Sequence, residues 1–205
     1  MIKNLHPGLF IAFEGLDGSG SKTQASLLTN VLAKEGYRVY LTKEPTNNLI
    51  GGLIKGQLLG EWQSDAETLQ LLFAADRSQH LEKEIIPKLE AGRIVISDRY
   101  AFSSIAYGSV EIEKIKWLEE VNDQFILPDI TFLINMRPKI CVIRTKESRL
   151  GLELYREEQK LAKIWVSYEK LAKDYPNFHI IDGERDEMEI VREIAEITKK
   201  VLEKR

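Results

Sequence analysis

Apolar residues in this chain follow two rhythms. Short runs rich in β-branched and aromatic residues fall at 9–14, 38–42, 94–97, 130–134 and 178–181, with the length and make-up of strands in a buried sheet. Between them the apolar spacing widens to three and four residues with charged faces, over 68–90, 153–174 and 187–204, which predicts helices. Strands alternating with helical crossovers imply a parallel sheet covered on both faces. The predicted fold is therefore a three-layer α/β arrangement around a five-stranded parallel sheet. No repeat, low-complexity tract or Pro/Gly/Ser linker interrupts the alternation, so residues 1–205 read as a single domain. In such sheets ligands gather outside the carboxyl ends of the strands, which here are residues 15–23, 43–45, 98–100 and 135–138.

Charge narrows the chemistry. Lys plus Arg number 29 against 32 Asp plus Glu, a net −3, so no overall basic field exists to hold a nucleic acid or an anionic membrane. Any phosphate chemistry must come from a local cluster. Cys141 is the only cysteine, and His6, His80 and His179 lie too far apart in sequence for a zinc-ligand spacing. The apolar run at 9–13 stops at Glu14, far short of the ~20 residues a membrane span needs, and no small-residue cleavage site follows it before Glu14 and Asp17. A cytoplasmic protein without nucleic-acid or membrane partners is expected.

The strongest local signal follows the first strand: Gly15, Leu16, Asp17, Gly18, Ser19, Gly20, Ser21, Lys22 and Thr23, then an amphipathic helix through Leu27, Leu28, Val31 and Leu32. Strand, glycine loop and helix form the context of a P-loop, whose inward-turned N–H groups and helix N-terminus cradle phosphates. These nine residues are the expected ATP-binding segment. The order departs from GxxxxGK[ST], because Ser21 stands at the lysine position and Lys22 at that of the metal-binding hydroxyl. One helical residue rotates a side chain by ~100° and shifts it ~1.5 Å. Two outcomes follow. Either the first turn is re-registered, so that Lys22 still reaches the β- and γ-phosphates while Thr23 or Ser21 supplies the hydroxyl, or donor binding is weakened.

Further on stand Leu72-Phe73-Ala74-Ala75-Asp76-Arg77 in a helical pattern, and Ser97-Asp98-Arg99-Tyr100-Ala101-Phe102-Ser103-Ser104-Ile105-Ala106-Tyr107 after the third strand. With Phe13-Glu14-Gly15-Leu16-Asp17-Gly18, Lys43-Glu44-Pro45-Thr46, Leu127-Pro128-Asp129 and Ile181-Asp182-Gly183, the chain resembles the thymidylate kinase family over nearly its whole length. The resemblance implies a P-loop NTPase fold with a small lid at about 142–156, and ATP-dependent phosphorylation of dTMP to dTDP with Mg2+, on the way to dTTP. It implies that Phe73 stacks on thymine, Arg77 donates to a thymine carbonyl, and Arg99 and Lys43 hold the acceptor phosphate. Asp17 would accept from the deoxyribose 3′-hydroxyl, Tyr107 would crowd the ribose 2′ carbon, and Ser103 and Ser104 would reach towards the base. Asp98 and Thr23 would arrange Mg2+, in part through water. Lys22, Asp98, Arg99 and a lid arginine would carry catalysis, Arg149 being the first choice and Arg144 the second. A homodimer is also implied, with Trp117, Leu118, Val121 and Phe125 or Leu69, Leu72 and Phe73 as candidate contacts. Three further departures are Lys43 where an arginine is usual, Gly108 after Ala106-Tyr107, and Asn135 for a frequent aspartate. Two other readings stay open: a kinase for another (deoxy)nucleoside monophosphate and, because of the displaced lysine, a nucleotide-binding paralogue without catalysis.

Overall fold

The computed structural model describes residues 1–145 and 151–204, and of 151–155 the backbone alone. Along the chain run β1 (Ile2–Lys3), β2 (Phe10–Gly15), α1 (Ser21–Lys34), β3 (Val39–Lys43), α2 (Leu49–Leu58), α3 (Ala66–His80), a π-helical turn (Leu81–Ile85), α4 (Ile86–Glu90), β4 (Ile94–Asp98), α5 (Ala101–Gly108), α6 (Ile115–Asn122), β5 (Ile126–Leu127), β6 (Ile130–Asn135), α7 (Pro138–Thr145), α8 (Gly151–Asp174), β7 (Phe178–Asp182) and α9 (Glu187–Leu202). The five strands expected from the apolar runs form one parallel sheet in the order β3-β4-β2-β6-β7. The order reverses at β2, so the crevice beyond Gly15 is the place where such a sheet opens for a ligand.

Alternation along β2 explains the layers. Ile11 and Phe13 face one way, packing with Leu28 and Leu32 of α1 and with Ile190 and Ile194 of α9. Phe10 and Ala12 face the other way, against Ile85, Leu89 and Tyr100. On that same side Phe102 of α5, Leu133 of β6 and Ile164 and Tyr168 of α8 build a third cluster. All six residues of β2 are buried, as a central strand with both faces covered requires. Helix α3 takes its start from Asp65, whose carboxylate accepts from Thr68 N at 2.6 Å, an N-cap bond.

Three details lay beyond the apolar pattern. The helix expected over 68–90 is continuous but widens into a π turn just before Pro87; a proline has no N–H for the carbonyl four residues back and crowds it, so the local ladder adjusts. Strands β1 and β5 form a separate two-stranded pair, too short to leave a periodic signal. The expected lid divides: residue 142 lies in α7 and 156 in α8, while 146–150 lie outside the described residues. Leu118 and Phe125, candidate dimer contacts, are buried within the subunit.

Candidate active site

The glycine loop closes over the carboxyl end of β2. Gly18 and Gly20 have φ of 85° and 94°, the left-handed region that favours glycine. At Gly18 a Cβ would also stand 2.6 Å from the Cys141 carbonyl oxygen. The loop thus lies directly against α7. Ser19 N donates to Leu16 O at 3.0 Å, and Gln24 N donates to Gly20 O at 3.0 Å, so α1 opens from Ser21 with an ordinary first turn. The helix is not re-registered. Ser21 faces inward and its Oγ donates to Asp98 Oδ1 at 3.1 Å, whereas Thr23, two residues and ~200° further round the helix, is exposed. The hydroxyl beside Asp98 is therefore that of Ser21, one of the two that the sequence offered for this place. Lys22 is exposed and borders two cavities, one of ≈630 Å3 around the loop and one of ≈330 Å3 shared with Lys43 and Thr46. Burial holds the Asp98 carboxyl above its ordinary range against the opposing pull of Arg99, Ser21, Lys22 and Lys43.

A third cavity, ≈540 Å3, lies between the loop, α3, α5 and α8 and is bordered by Phe73, Arg77, Ser103, Ser104 and Tyr107. It meets the loop cavity at Asp17, Asp98 and Arg99, which border both. Arg99 is a non-glycine residue at φ 70°, an unfavourable backbone region kept only where surrounding bonds enforce it. Here they are Arg99 N to Phe13 O at 2.9 Å and Ser97 Oγ to Arg99 O at 2.7 Å. The bend leads the chain from β4 into α5. The guanidinium donates through Nη2 to Asp17 Oδ1 at 2.6 Å and through Nη1 to Ser103 Oγ at 2.9 Å. It also lies 5.1 Å from the Tyr107 ring centroid. Tyr107 OH accepts from Asp17 N at 2.9 Å. Asp17 and, more than 80 residues later, Arg99, Ser103 and Tyr107 are one bonded cluster.

Beneath it lies Glu14, fully buried, which the sequence reading gave no role. Its carboxylate accepts from Tyr100 N at 3.0 Å, Ser103 N at 3.2 Å and Tyr168 OH at 3.0 Å, and from Ser103 Oγ. Burial outweighs these bonds and the nearby Arg99 charge and pushes its pKa up to about 7. A carboxyl ending an otherwise apolar strand was the available clue. Because its folded pKa lies above the ordinary value of 4.5, the folded state binds this proton more tightly than the unfolded chain does. The associated stability is complete below about pH 4.5 and is lost as pH rises through about 7, a change on the order of 3 kcal/mol. Asp98 acts in the same direction. Denaturant melts from pH 4.5 to 8 should show stability falling with pH, and Glu14→Gln should flatten that slope.

At the far end of the cavity α3 places Gln70, Phe73 and Arg77 on one stripe, three and four residues apart. Phe73 is half-buried and borders the cavity. Arg77 is only 1% exposed. Its Nε and Nη2 lie 2.9 and 2.8 Å from Glu44 Oε2, Nη2 donates to Ser104 Oγ at 2.9 Å, and Nη1 donates to Asn122 Oδ1. His80 Nδ1 stands 3.1 Å from the other Glu44 oxygen. Arg77 is thus a fixed fork whose position depends on Glu44, Asn122 and His80, none of which sequence reasoning singled out. Ser103 and Ser104 serve to brace Arg99 and Arg77. Lys43 is exposed and borders both this cavity and the one beside Lys22. Near it Lys55 donates to Thr46 O at 2.6 Å and Asn47 Oδ1 at 2.7 Å, its pKa lowered by desolvation and by the Lys43 charge. On the lid side Arg144 borders the loop cavity, its Nη1 4.0 Å from where a Cβ on Gly20 would sit. Arg149 lies outside the described residues.

Comparison with known proteins agrees with this geometry. A family model described as thymidylate kinase matches residues 13–194. The chain is 36% identical over 202 residues to a probable thymidylate kinase of Thermococcus kodakarensis, covering 95% of this chain and 98% of the relative. It is 35% identical over 202 residues to a thymidylate kinase of Thermoanaerobacter sp. strain X514, covering 95% and 99%. A probable thymidylate kinase of Pyrobaculum aerophilum is 37% identical over 193 residues, covering 94% and 97%. A glycine loop and a second, aromatic and arginine-lined cavity that meet at Arg99, with matches of this extent, place the chain in the thymidylate kinase family.

Proposed function

We propose that the protein transfers the γ-phosphoryl group of ATP to the 5′-phosphate of dTMP, giving dTDP and ADP. The observation that carries this is the meeting of two cavities at Arg99: a loop shaped for the phosphates of a nucleotide, and a cavity sized for a second one. In this reading thymine lies on Phe73, as an aromatic face permits for a base, with Arg77 donating to a ring carbonyl. Asp17 and Tyr107 face the deoxyribose. Arg99 grips the acceptor phosphate with its planar fork, and Lys43 adds a charge at the mouth.

The acceptor is already an anionic phosphate, so no general base is needed. Positioning and neutralisation of charge carry the transfer. Residues 15–23 hold the donor phosphates by backbone N–H groups and the N-terminus of α1, and Lys22 reaches them with its flexible four-carbon stem from outside the first turn. Arg144, the second choice from the sequence, approaches the same loop from α7; Arg149, the first choice, lies outside the described residues. Lid closure would exclude water, the competing acceptor.

Mg2+ fits the donor set. Among the described residues no group of three or more His, Cys, Asp or Glu is placed to hold a metal, which excludes an all-protein cage there but suits an ion held by one or two oxygens, phosphates and water. Ser21 Oγ and Asp98, bonded to each other, would hold it. When bound, the ion would supply positive charge that offsets the charge of the phosphates. Cellular placement is read as cytoplasmic, supported by a single buried free cysteine and, among the described residues, no helix long and apolar enough to cross a membrane. A homodimer is supported by exposed Leu49, Leu53, Leu58, Leu59 and Leu71 on and beside α2 and α3.

Coupled ADP release with dTMP, dUMP, dCMP and dAMP tests the acceptor assignment. The highest kcat/KM is expected with dTMP, by at least about tenfold over the cytosine and adenine nucleotides. A preference for dCMP or dAMP would remove the thymine assignment.

A further inference from the structure

We propose that Gln70 is a further specificity-determining residue, whose carboxamide accepts a hydrogen bond from the N3–H of the pyrimidine ring lying on Phe73. The inference rests on the dTMP reading above. Gln70 is 7% exposed, and its Oε1 is enclosed with no hydrogen-bond partner among the described residues. A buried carbonyl oxygen without a partner is costly and uncommon. The side chain nevertheless borders the ≈540 Å3 cavity together with Phe73 and Arg77, the other members of its stripe on α3.

Space for the amide comes from the facing helix. At Gly108 of α5 a Cβ would lie 3.2 Å from Gln70 Cδ and 3.0 Å from both methyl carbons of Leu118. Those distances are tighter than ordinary contacts, so a side chain at 108 and the Gln70 amide compete for the same volume. The glycine leaves that volume to Gln70.

The chemistry of the ring supplies the missing partner. A thymine presents an N3–H donor flanked by two carbonyls. Arg77 can only donate, so it can meet a carbonyl but not the N3–H. A carboxamide carries both an acceptor and donors, and a half-turn about Cγ–Cδ exchanges its two ends. Gln70 therefore completes a set that Arg77 leaves incomplete, and the ligand satisfies an oxygen that the protein does not. A site built to hydrogen-bond a ring N–H rejects an analogue lacking it far more strongly than an apolar pocket could.

Equilibrium titration of dTMP and of N3-methyl-dTMP into the unaltered protein and into Gln70→Met, with melting temperatures recorded, tests the proposal. Methionine keeps the bulk of glutamine and removes its acceptor, so steric exclusion of the methyl group is retained. The unaltered protein should bind dTMP at least about 20-fold more tightly than the methylated analogue. In Gln70→Met, dTMP affinity should fall about tenfold or more, and the preference should shrink by about tenfold to what steric exclusion alone supplies. An unchanged preference in Gln70→Met overturns the proposal, whether or not the melting temperature moves, because a brace between α3 and α5 would weaken both ligands alike. Failure of the unaltered protein to bind dTMP overturns the dTMP reading itself and this inference with it. Binding of dTMP with a preference indifferent to residue 70 overturns the role of Gln70 alone.

Discussion

Arg99→Ala is expected to lower kcat/KM for dTMP by about 10³-fold or more, the scale on which an arginine stabilises phosphoryl transfer. Three observations converge on this residue. It borders both nucleotide cavities, its guanidinium is pre-aimed by Asp17 and Ser103, and its backbone is held at φ 70° by bonds from Ser97 and to Phe13. A left-handed backbone kept for an arginine rather than a glycine indicates that the side chain is what the position requires. Alanine bears about the same backbone strain, so the loss should fall on acceptor binding and turnover rather than on folding. Arg99→Lys retains the charge but not the two-pronged fork, and about 10²-fold should be lost. Steady-state kinetics varying dTMP and ATP separately, beside a thermal melt, provide the check. Retention of wild-type kcat/KM by Arg99→Lys would mean that the fork does not grip the acceptor.

Lys22→Ala carries the second large effect. Helix α1 begins at Ser21 in ordinary register, with Ser21 turned to Asp98 and Lys22 outside the turn. The two jobs that GxxxxGK[ST] gives to successive residues are thus present in exchanged order. Ser21 stands as the hydroxyl beside the carboxylate, and in the proposed reading Lys22 supplies the charge from one position later. A lysine stem can absorb a ~1.5 Å shift and a ~100° rotation. Removing the ammonium should lower kcat by about 10²-fold or more for every acceptor alike, as expected for a charge that acts on the transferring phosphoryl group. Unaltered kcat in Lys22→Ala would show that Lys22 points away during transfer and that Arg144 and the loop N–H groups suffice.

The parts of the molecule legible in the sequence are those governed by local pattern. Five apolar runs became the five strands of the sheet, and the glycine loop, Phe73 with Arg77, and Asp98 with Arg99 all lie on the cavities at its carboxyl end. What remained hidden depends on contacts between distant residues. Glu14 reads as one acid after an apolar run, and only its complete burial in the folded chain, which outweighs the bonds from Ser103 and Tyr168, raises its carboxyl to a pKa of about 7. Glu44, His80 and Asn122 fix Arg77 from three separate elements. The choice of Ser21 over Thr23 for Asp98 turned on which side of one helical turn faces β4. Gln70 carried no motif at all; it emerged through an oxygen without a partner and a glycine opposite it.

In the proposed reading a phosphate loop with its lysine one residue out of place still serves a working kinase. Turnover of ATP and dTMP by the unaltered protein, measured as coupled ADP release at saturating Mg2+ and both nucleotides, tests it most directly. dTMP-dependent ADP release is expected, with kcat in the usual kinase range of about 1–100 s⁻¹. Tight binding of both nucleotides without dTMP-dependent ADP release would contradict it.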